Sequence, residues 1–358
     1  MQQSVVSMII SFYIFISTAL LIFNLAYMLS SGVKKRVMNR RISAEMEWQK
    51  QIVSNPVSRA GQKFQKRLYR RLKDTAKLSA FVEAIERNRN KIPENQIVEC
   101  LRDCRMTIFK AAEAYRKRPA MERALFAYLI SLFPDRAAEE YTRMGEILLG
   151  YLENSTVYCR QNVLQALYRL GNEDALVRAL QIFQEQKWYH NSKLIADGLA
   201  EYRGDRVKLA RRLWNQKEDE IMRVILIQFM NQLPEDMSDL VLPELSSEYH
   251  EVRFAAVRYF TKHINAEAGK CLLNILREDS DVSSAAAQAL GSYPGETAKQ
   301  ELMLALQSKN WYVRHNSAVS LMKMNLSPEE TRKLITADDR YVREMFTYVW
   351  ESRGTAEC

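Results

Sequence analysis

Metal binding and nucleophilic or acid–base catalysis need His, Cys, Asp or Glu at spacings that bring them together. The chain has four histidines, His190, His250, His263 and His315, and none stands three or four residues from another or from a cysteine. Cys100 and Cys104 are at i, i+4, which puts two thiols on one face of a helix. No second pair completes a tetrahedral set, so they read as core or surface thiols. Five cysteines scattered over 358 residues are too few for a disulfide framework and favour a reducing compartment. There is no Gly-rich phosphate loop, no Gly-x-Ser-x-Gly and no Cys/His pairing that would activate a nucleophile. Glu218-Asp219-Glu220 and Glu329-Glu330 read as helix starts that complement the macrodipole, not as an acid–base pair. The expectation is a protein with no catalytic residues, no metal and no cofactor, hence not an enzyme.

The residues left to do chemistry are cations and aromatic rings, and both recur at a fixed interval. Arg160, Ser192, Arg223, Arg253, Ser283, Arg314 and Arg343 follow one another at 29 to 32 residues. After the anchors, small or apolar side chains stand at +3, +4 and +7, as in Val163, Leu164 and Leu167 or Ala256, Val257 and Phe260. That is one face of a helix. Thr156, Asp219, Asp279, Asn310 and Asp339, four residues ahead of five anchors, are competent N-cap acceptors. A second apolar-periodic stretch completes each unit, such as Ala175 to Phe183, Gly269 to Leu276 or Ala298 to Leu306. Each unit therefore reads as a helix pair. Trp188, Tyr189, Trp311, Tyr312, Tyr341 and Trp350 fall at or near the starts of first helices. Of these, Trp188, Tyr189, Trp311, Tyr312 and Tyr341 are the candidate partner-binding residues.

Glu248-Tyr-His-Glu-Val-Arg, Asp279-Ser-Asp-Val-Ser-Ser-Ala-Ala-Ala and Asn310-Trp-Tyr-Val-Arg-His-Asn-Ser-Ala-Val resemble HEAT repeats of the short bacterial and archaeal variety, about 30 residues each. The resemblance covers residues 155–353. It implies an all-α, right-handed α-solenoid in which Arg160, Arg223, Arg253, Arg314 and Arg343 make structural contacts between repeats. Ahead of it, Met121 to Ile130, Arg143 to Leu152 and Ile97 to Ala114 read as helices of an irregular N-terminal cap over residues 74–154. Residues 354–358 are left as a tail.

The N-terminus has a different character. Val5 to Leu29 is 25 residues without Asp, Glu, Lys, Arg or His, about 37 Å as a helix and long enough to cross a bilayer. A cleaved signal peptide is the competing reading, but residues 1–4 carry no positive charge and Ser30-Ser31-Gly32 is a weak cleavage site. Residues 34–73 hold 13 basic and two acidic side chains, which leaves the rest of the chain at −2 out of an overall +9. The basic excess is therefore juxtamembrane. Lys34, Lys35, Arg36, Arg40 and Arg41 predict a short N-terminus outside, a transmembrane helix at 5–29 and everything after it in the cytoplasm of a cell with this inner or plasma membrane. Residues 30–73 read as a basic helical linker able to attract anionic lipid. Met38, Ile42, Met46, Gln49 and Val53 would carry the helix on until Asn55-Pro56.

The expectation for function is a membrane-anchored scaffold that binds a protein partner along its solenoid, in the setting of a membrane complex such as one making envelope polysaccharide. Some HEAT-like solenoids bind nucleic acid, which the charge partition disfavours here. The short repeats also resemble those of bilin lyases, a likeness that extends to no catalytic residue.

Overall fold

The computed structural model describes residues 2–54, 61–88, 90–132, 141–188, 191–216, 219–278, 280–324 and 326–354. Among these there are nineteen α-helices, one 3-10 turn and no strand. Two compact units are distinguished, Met1–Leu176 and Val177–Cys358.

The first unit begins with α1 (Gln2–Ser54), 53 residues without a break. Its only interior glycine, Gly32, has open space around it, and the helix stops two residues before Pro56, which disfavours helical backbone in the residue it follows. Two environments divide it. Every side chain from Ser11 to Val37 is exposed, apolar ones included, with Phe15 at 71% and Leu29 at 64%. From Met38 onward one face turns inward. Ile42 packs on Ala80 and Ala84, small residues one turn apart that let the helices approach, with Met38 and Met46 alongside. Gln49 donates to the Phe81 carbonyl at 3.0 Å, and Asn88 donates to Gln49 and to the Met46 carbonyl. Residues 38–54 are thus part of a packed layer. The reason is the Met38–Val53 stripe, which needs an apolar partner and finds α3 (Thr75–Asn88).

The apolar residues Phe64, Leu68, Leu72, Ala76 and Val82 fall on two helices rather than one. Asp74 takes an extended conformation and accepts a bond from the Lys77 amide, ending α2 (Gln62–Lys73) and starting α3. The break shifts the register, so Leu68, Leu72, Leu78 and Val82 are buried while Ala76 is exposed. Next come α4 (Glu94–Tyr115), α5 (Ala120–Ser131), α6 (Tyr141–Gly150) and α7 (Val157–Leu170). Helices α2, α4 and α6 pack in sequence, as do α3, α5 and α7. Tyr hydroxyls tie the first series: Tyr115 donates to the Leu72 carbonyl at 2.8 Å and Tyr151 to the Ala112 carbonyl at 2.6 Å. Asn162 on α7 donates to the Ala124 carbonyl of α5 at 3.0 Å. Gly171 closes α7 in the left-handed conformation at φ 70°, where a side chain would be strained. The division between the units falls at residue 176, after α7. Val163, Leu164 and Leu167 of α7 bury against the preceding layer, so the first repeat helix folds with the helices before it.

The second unit contains α9 (Ser192–Ala200), α11 (Glu220–Met230), α13 (His250–Lys262), α15 (Ser283–Leu290), α17 (Trp311–Lys323) and α19 (Arg340–Gly354), each packed on the next. Helix α8 (Glu173–Glu185) runs across the division between the units. Between the first helices lie α10 (Arg206–Trp214), α12 (Ser238–Val241) continued by a 3-10 turn (Leu242–Ser246), α14 (Ala266–Arg277), α16 (Glu296–Ala305) and α18 (Pro328–Ile335). The expected core positions are buried throughout: Leu226, Ile227 and Met230; Ala256, Val257 and Phe260; Ala286, Ala287 and Leu290; Ser317, Ala318 and Leu321. Ile195, Ala196 and Leu199 extend the rule to the Ser192 unit. Asp219, Asn310 and Asp339 cap their helices through the amides of Met222, Tyr312 and Val342. Asp279 lies outside the described residues. Gly291 is required by close approach, since a Cβ there would stand 2.6 Å from the Ser320 hydroxyl and 3.1 Å from its Cα.

Candidate interaction surface

The anchor arginines all occupy the fourth position of a first helix, from which a guanidinium reaches the loops between layers. Arg314 donates to the carbonyls of Ser308 and Lys309 at 2.7 and 3.0 Å, and Arg343 to those of Ala337 and Asp338 at 2.5 and 3.4 Å. Arg223 and Arg253 instead face Glu244 and Glu278, each at 3.6 Å, ahead of the next first helix. Ser283, where the series lacks an arginine, is fully buried and donates to the Ile275 carbonyl at 2.7 Å. Arg160 is half-buried, and burial lowers its pKa. One anchor escapes the 30-residue count. Arg123 is the fourth residue of α5, is buried, and donates to the Glu153 and Asn154 carbonyls at 2.7 and 3.0 Å. Its +3, +4 and +7 partners Phe126, Ala127 and Ile130 are buried as well. Those positions were the signal; the 37-residue step to Arg160 hid it.

The aromatic residues divide. Trp311 and Tyr312 are exposed by 46% and 66% in the first turn of α17, and Tyr341 by 56% in the first turn of α19. Trp311 stacks on His315 at 4.9 Å and meets Tyr312 edge-on at 5.3 Å. The Arg314 guanidinium lies 4.8 Å from the Tyr341 ring, joining the two layers along this edge. Tyr249, not singled out in the sequence, repeats the arrangement with Arg223 at 5.7 Å. Trp188 is half-buried in the turn after α8, edge-on to Phe183 at 5.3 Å, which is turn packing. Tyr189 lies outside the described residues. Trp350 is not at a helix start: no Gly or Pro ends α19 early, so it sits near that helix's far end, stacked on Phe346.

Near the same layers, α16, α18 and the start of α19 leave a cleft of about 470 Å³ lined by Met303, Leu304, Leu334 and Val342, with Asp338 and Asp339 beside them. Lys299 of α16 bonds Glu330 of α18 at 2.8 Å. That lysine and the Ser327 capping box pull the Glu330 carboxyl down to about 2.

Titratable groups concentrate at one further place. The Asp236 carboxylate accepts from the Ser238 amide and hydroxyl and from Tyr259, which keeps its pKa low. Burial pushes Tyr259 up to about 12, and its hydroxyl oxygen accepts the Met237 amide at 2.8 Å. His263 stacks on Tyr259 at 4.2 Å, its pKa lowered by desolvation. These bonds hold the 236–238 turn. Burial raises the Cys159 thiol to about 11, which removes its nucleophilic form near neutral pH. Among the described residues no three His, Cys, Asp or Glu side chains converge as a metal site.

Lys34, Lys35, Arg36, Arg40 and Arg41 are all exposed on α1, directly after its apolar part. Among the described residues α1 is the helix long and apolar enough to cross a membrane, a length and composition that a signal sequence shares. Its polar side chains Thr18 and Asn24 bond back to the Ile14 and Leu20 carbonyls at 2.8 and 2.9 Å, so their hydrogen-bonding groups are satisfied within the helix.

Residues 238–322 and, overlapping them, 269–348 match the family model of HEAT repeats. Residues 238–348, from α12 into α19, are thus similar to HEAT repeats, a module that generally mediates protein interactions. A search of curated proteins returns no match.

Proposed function

We propose that the protein is a single-pass, membrane-anchored scaffold that binds a protein partner through its HEAT repeats, without chemistry of its own. One observation carries the binding half: Trp311, Tyr312 and Tyr341 are exposed together on the first helices of neighbouring layers, joined by Arg314. Clustered aromatic residues beside an arginine have the composition of a binding hot spot. The anchoring half is supported by an apolar helix whose side chains are exposed all round, unlike a core helix, and by the cations that follow it. The orientation read from those cations puts the repeats in the cytoplasm.

The test is a photo-crosslinking amino acid in place of Tyr312 in the full-length chain in native membranes. A discrete protein adduct that is lost in Trp311→Ala and Tyr341→Ala is expected, with affinity for the recovered partner falling about 30-fold for about 2 kcal/mol. No adduct, or adducts to nucleic acid alone, would overturn the scaffold reading. Release of the chain by carbonate extraction would remove the anchor.

A further inference from the structure

Helix α2 carries six cations and no acid in twelve residues. Leu68 and Leu72 are buried, so the orientation of the helix is fixed. On the opposite face Lys63, Lys66, Arg67 and Arg70 stand at i, i+3, i+4 and i+7, with Lys73 beyond, and all five are exposed. Arg71 pairs with Glu45, and Arg67 lies over the Trp48 ring at 5.8 Å. Lys63, Lys66, Arg70 and Lys73 have no carboxylate partner among the described residues. Cations in the last turn favour a helix, but Lys63 and Lys66 sit near its start, where the macrodipole opposes them and like charges at i, i+4 repel. Nothing in folding calls for them.

Anionic lipid is the first occupant to consider, and α1 sets its distance. On the reading that α1 spans the bilayer, its apolar run leaves the hydrocarbon at Leu29. An unbroken helix rises about 1.5 Å per residue, so Lys34 to Arg36 lie about 7–10 Å beyond that point, among the headgroups. Glu45 and Trp48 lie about 24 and 28 Å beyond it. Helix α2 rides at this level, because Arg71 pairs with Glu45 and Phe64 stacks on Trp48 at 5.7 Å. Subtracting a headgroup layer of about 5–8 Å leaves the stripe roughly two Debye lengths from the lipid, and an ordinary tilt of about 20° shortens this by only about 6%.

We infer that α1 is a rigid standoff and that the Lys63–Lys66–Arg70–Lys73 stripe is a docking surface for an acidic protein segment, out of reach of the bilayer. The complement is a helix with carboxylates at i, i+3, i+7 and i+10, matching a stripe about 15 Å long. Nucleic acid is less suited: Phe64 is covered by Trp48 and Tyr69 by Lys110, leaving no open ring on α2 for base stacking, and the chain beyond residue 73 is at −2.

The inference rests on the membrane reading, and the experiment separates the two. The full-length chain is placed in nanodiscs containing a headgroup-quencher lipid, with a fluorescent amino acid replacing Lys34 or Lys66. Quenching at Lys34 but not at Lys66 is expected. Quenching at both puts the stripe on the bilayer and overturns the standoff; quenching at neither overturns the membrane reading itself. In neutral phosphatidylcholine nanodiscs, a 16-residue Glu/Ala helical peptide should bind in a salt-dependent way and lose at least tenfold in affinity for the K63Q/K66Q/R70Q/K73Q variant. The matching Lys/Ala peptide should not bind the unmodified chain, a control that does not depend on the variant folding. Equal affinity for both peptides, an unaffected variant, or tighter binding of a duplex oligonucleotide of equal charge would each overturn the proposal.

Discussion

The two units make the same contacts over different lengths of chain. In the C-terminal unit Asn316 reaches the Ser284 carbonyl across 32 residues, and Tyr293 reaches that of Phe260 across 33. In the N-terminal unit the corresponding asparagine bond, Asn162 to Ala124, spans 38, and Tyr151 ties the other helix series to the Ala112 carbonyl across 39. Layer geometry is kept while the chain between layers varies, because helix packing fixes the distance between axes and the lengths of helices and loops absorb the extra residues. Periodicity in sequence is therefore sufficient for this architecture and not required by it.

The sharpest way to break the comparison is to remove matching core rings. Phe126 stacks near Tyr115 at 4.8 Å and Phe260 meets Tyr259 edge-on at 5.1 Å, both phenylalanines fully buried. Phe126→Ala and Phe260→Ala should each cost about 3–5 kcal/mol, read as lost hydrogen-exchange protection in their own unit. A cost below about 1 kcal/mol at Phe126 would mean the N-terminal layers are not packed like the repeats.

A smaller effect sharpens it. Arg123→Lys keeps the charge but cannot span two carbonyls with a planar fork, so one bond made by this buried side chain is lost at about 1–3 kcal/mol. Arg343→Lys, at an exposed position, should fall below that. Equal losses would show that the two anchors do different work from the bonds seen.

The smallest effect separates the units by pH. All four histidines lie in the C-terminal unit, and desolvation lowers His263. The unfolded chain takes up the proton near the ordinary value of about 6.5, so this stability is complete above it and is lost as pH falls through the lower folded value. Protection between pH 7 and 5.5 should decline in the C-terminal unit and not in the N-terminal one, and His263→Gln should flatten the decline. A parallel decline in both units would rule out this origin.

Much of this was legible because helix faces are written locally. The +3, +4, +7 rule located the buried side of the repeat helices, and the caps Asp219, Asn310 and Asp339 marked where helices begin. Arg123 was missed because its step is 37 residues, although Phe126, Ala127 and Ile130 carried the same rule. The packing of residues 38–54 on α3 was half visible: the Met38–Val53 stripe was in the sequence, but Ala80 and Ala84 as its seat were not, since small residues do not announce what they admit. The tyrosine rungs were invisible, because a hydroxyl that meets a carbonyl 39 or 43 residues away leaves no pattern at either end. Trp350 was placed at the wrong end of its helix for want of a stop signal in α19.

Most of these interlayer bonds end on a backbone carbonyl. Arg314, Asn316, Ser320, Tyr293, Tyr151 and Arg123 each supply a side-chain donor, while the residue opposite contributes only its peptide oxygen. The identity of the accepting residue is free to drift without loosening the stack. A mutation scan should find tolerance concentrated on the accepting side of each joint and intolerance on the donating side. The same asymmetry lets one layer be exchanged for another of the same make, so lineages of this protein can lengthen, shorten or re-surface the stack with few compensating changes.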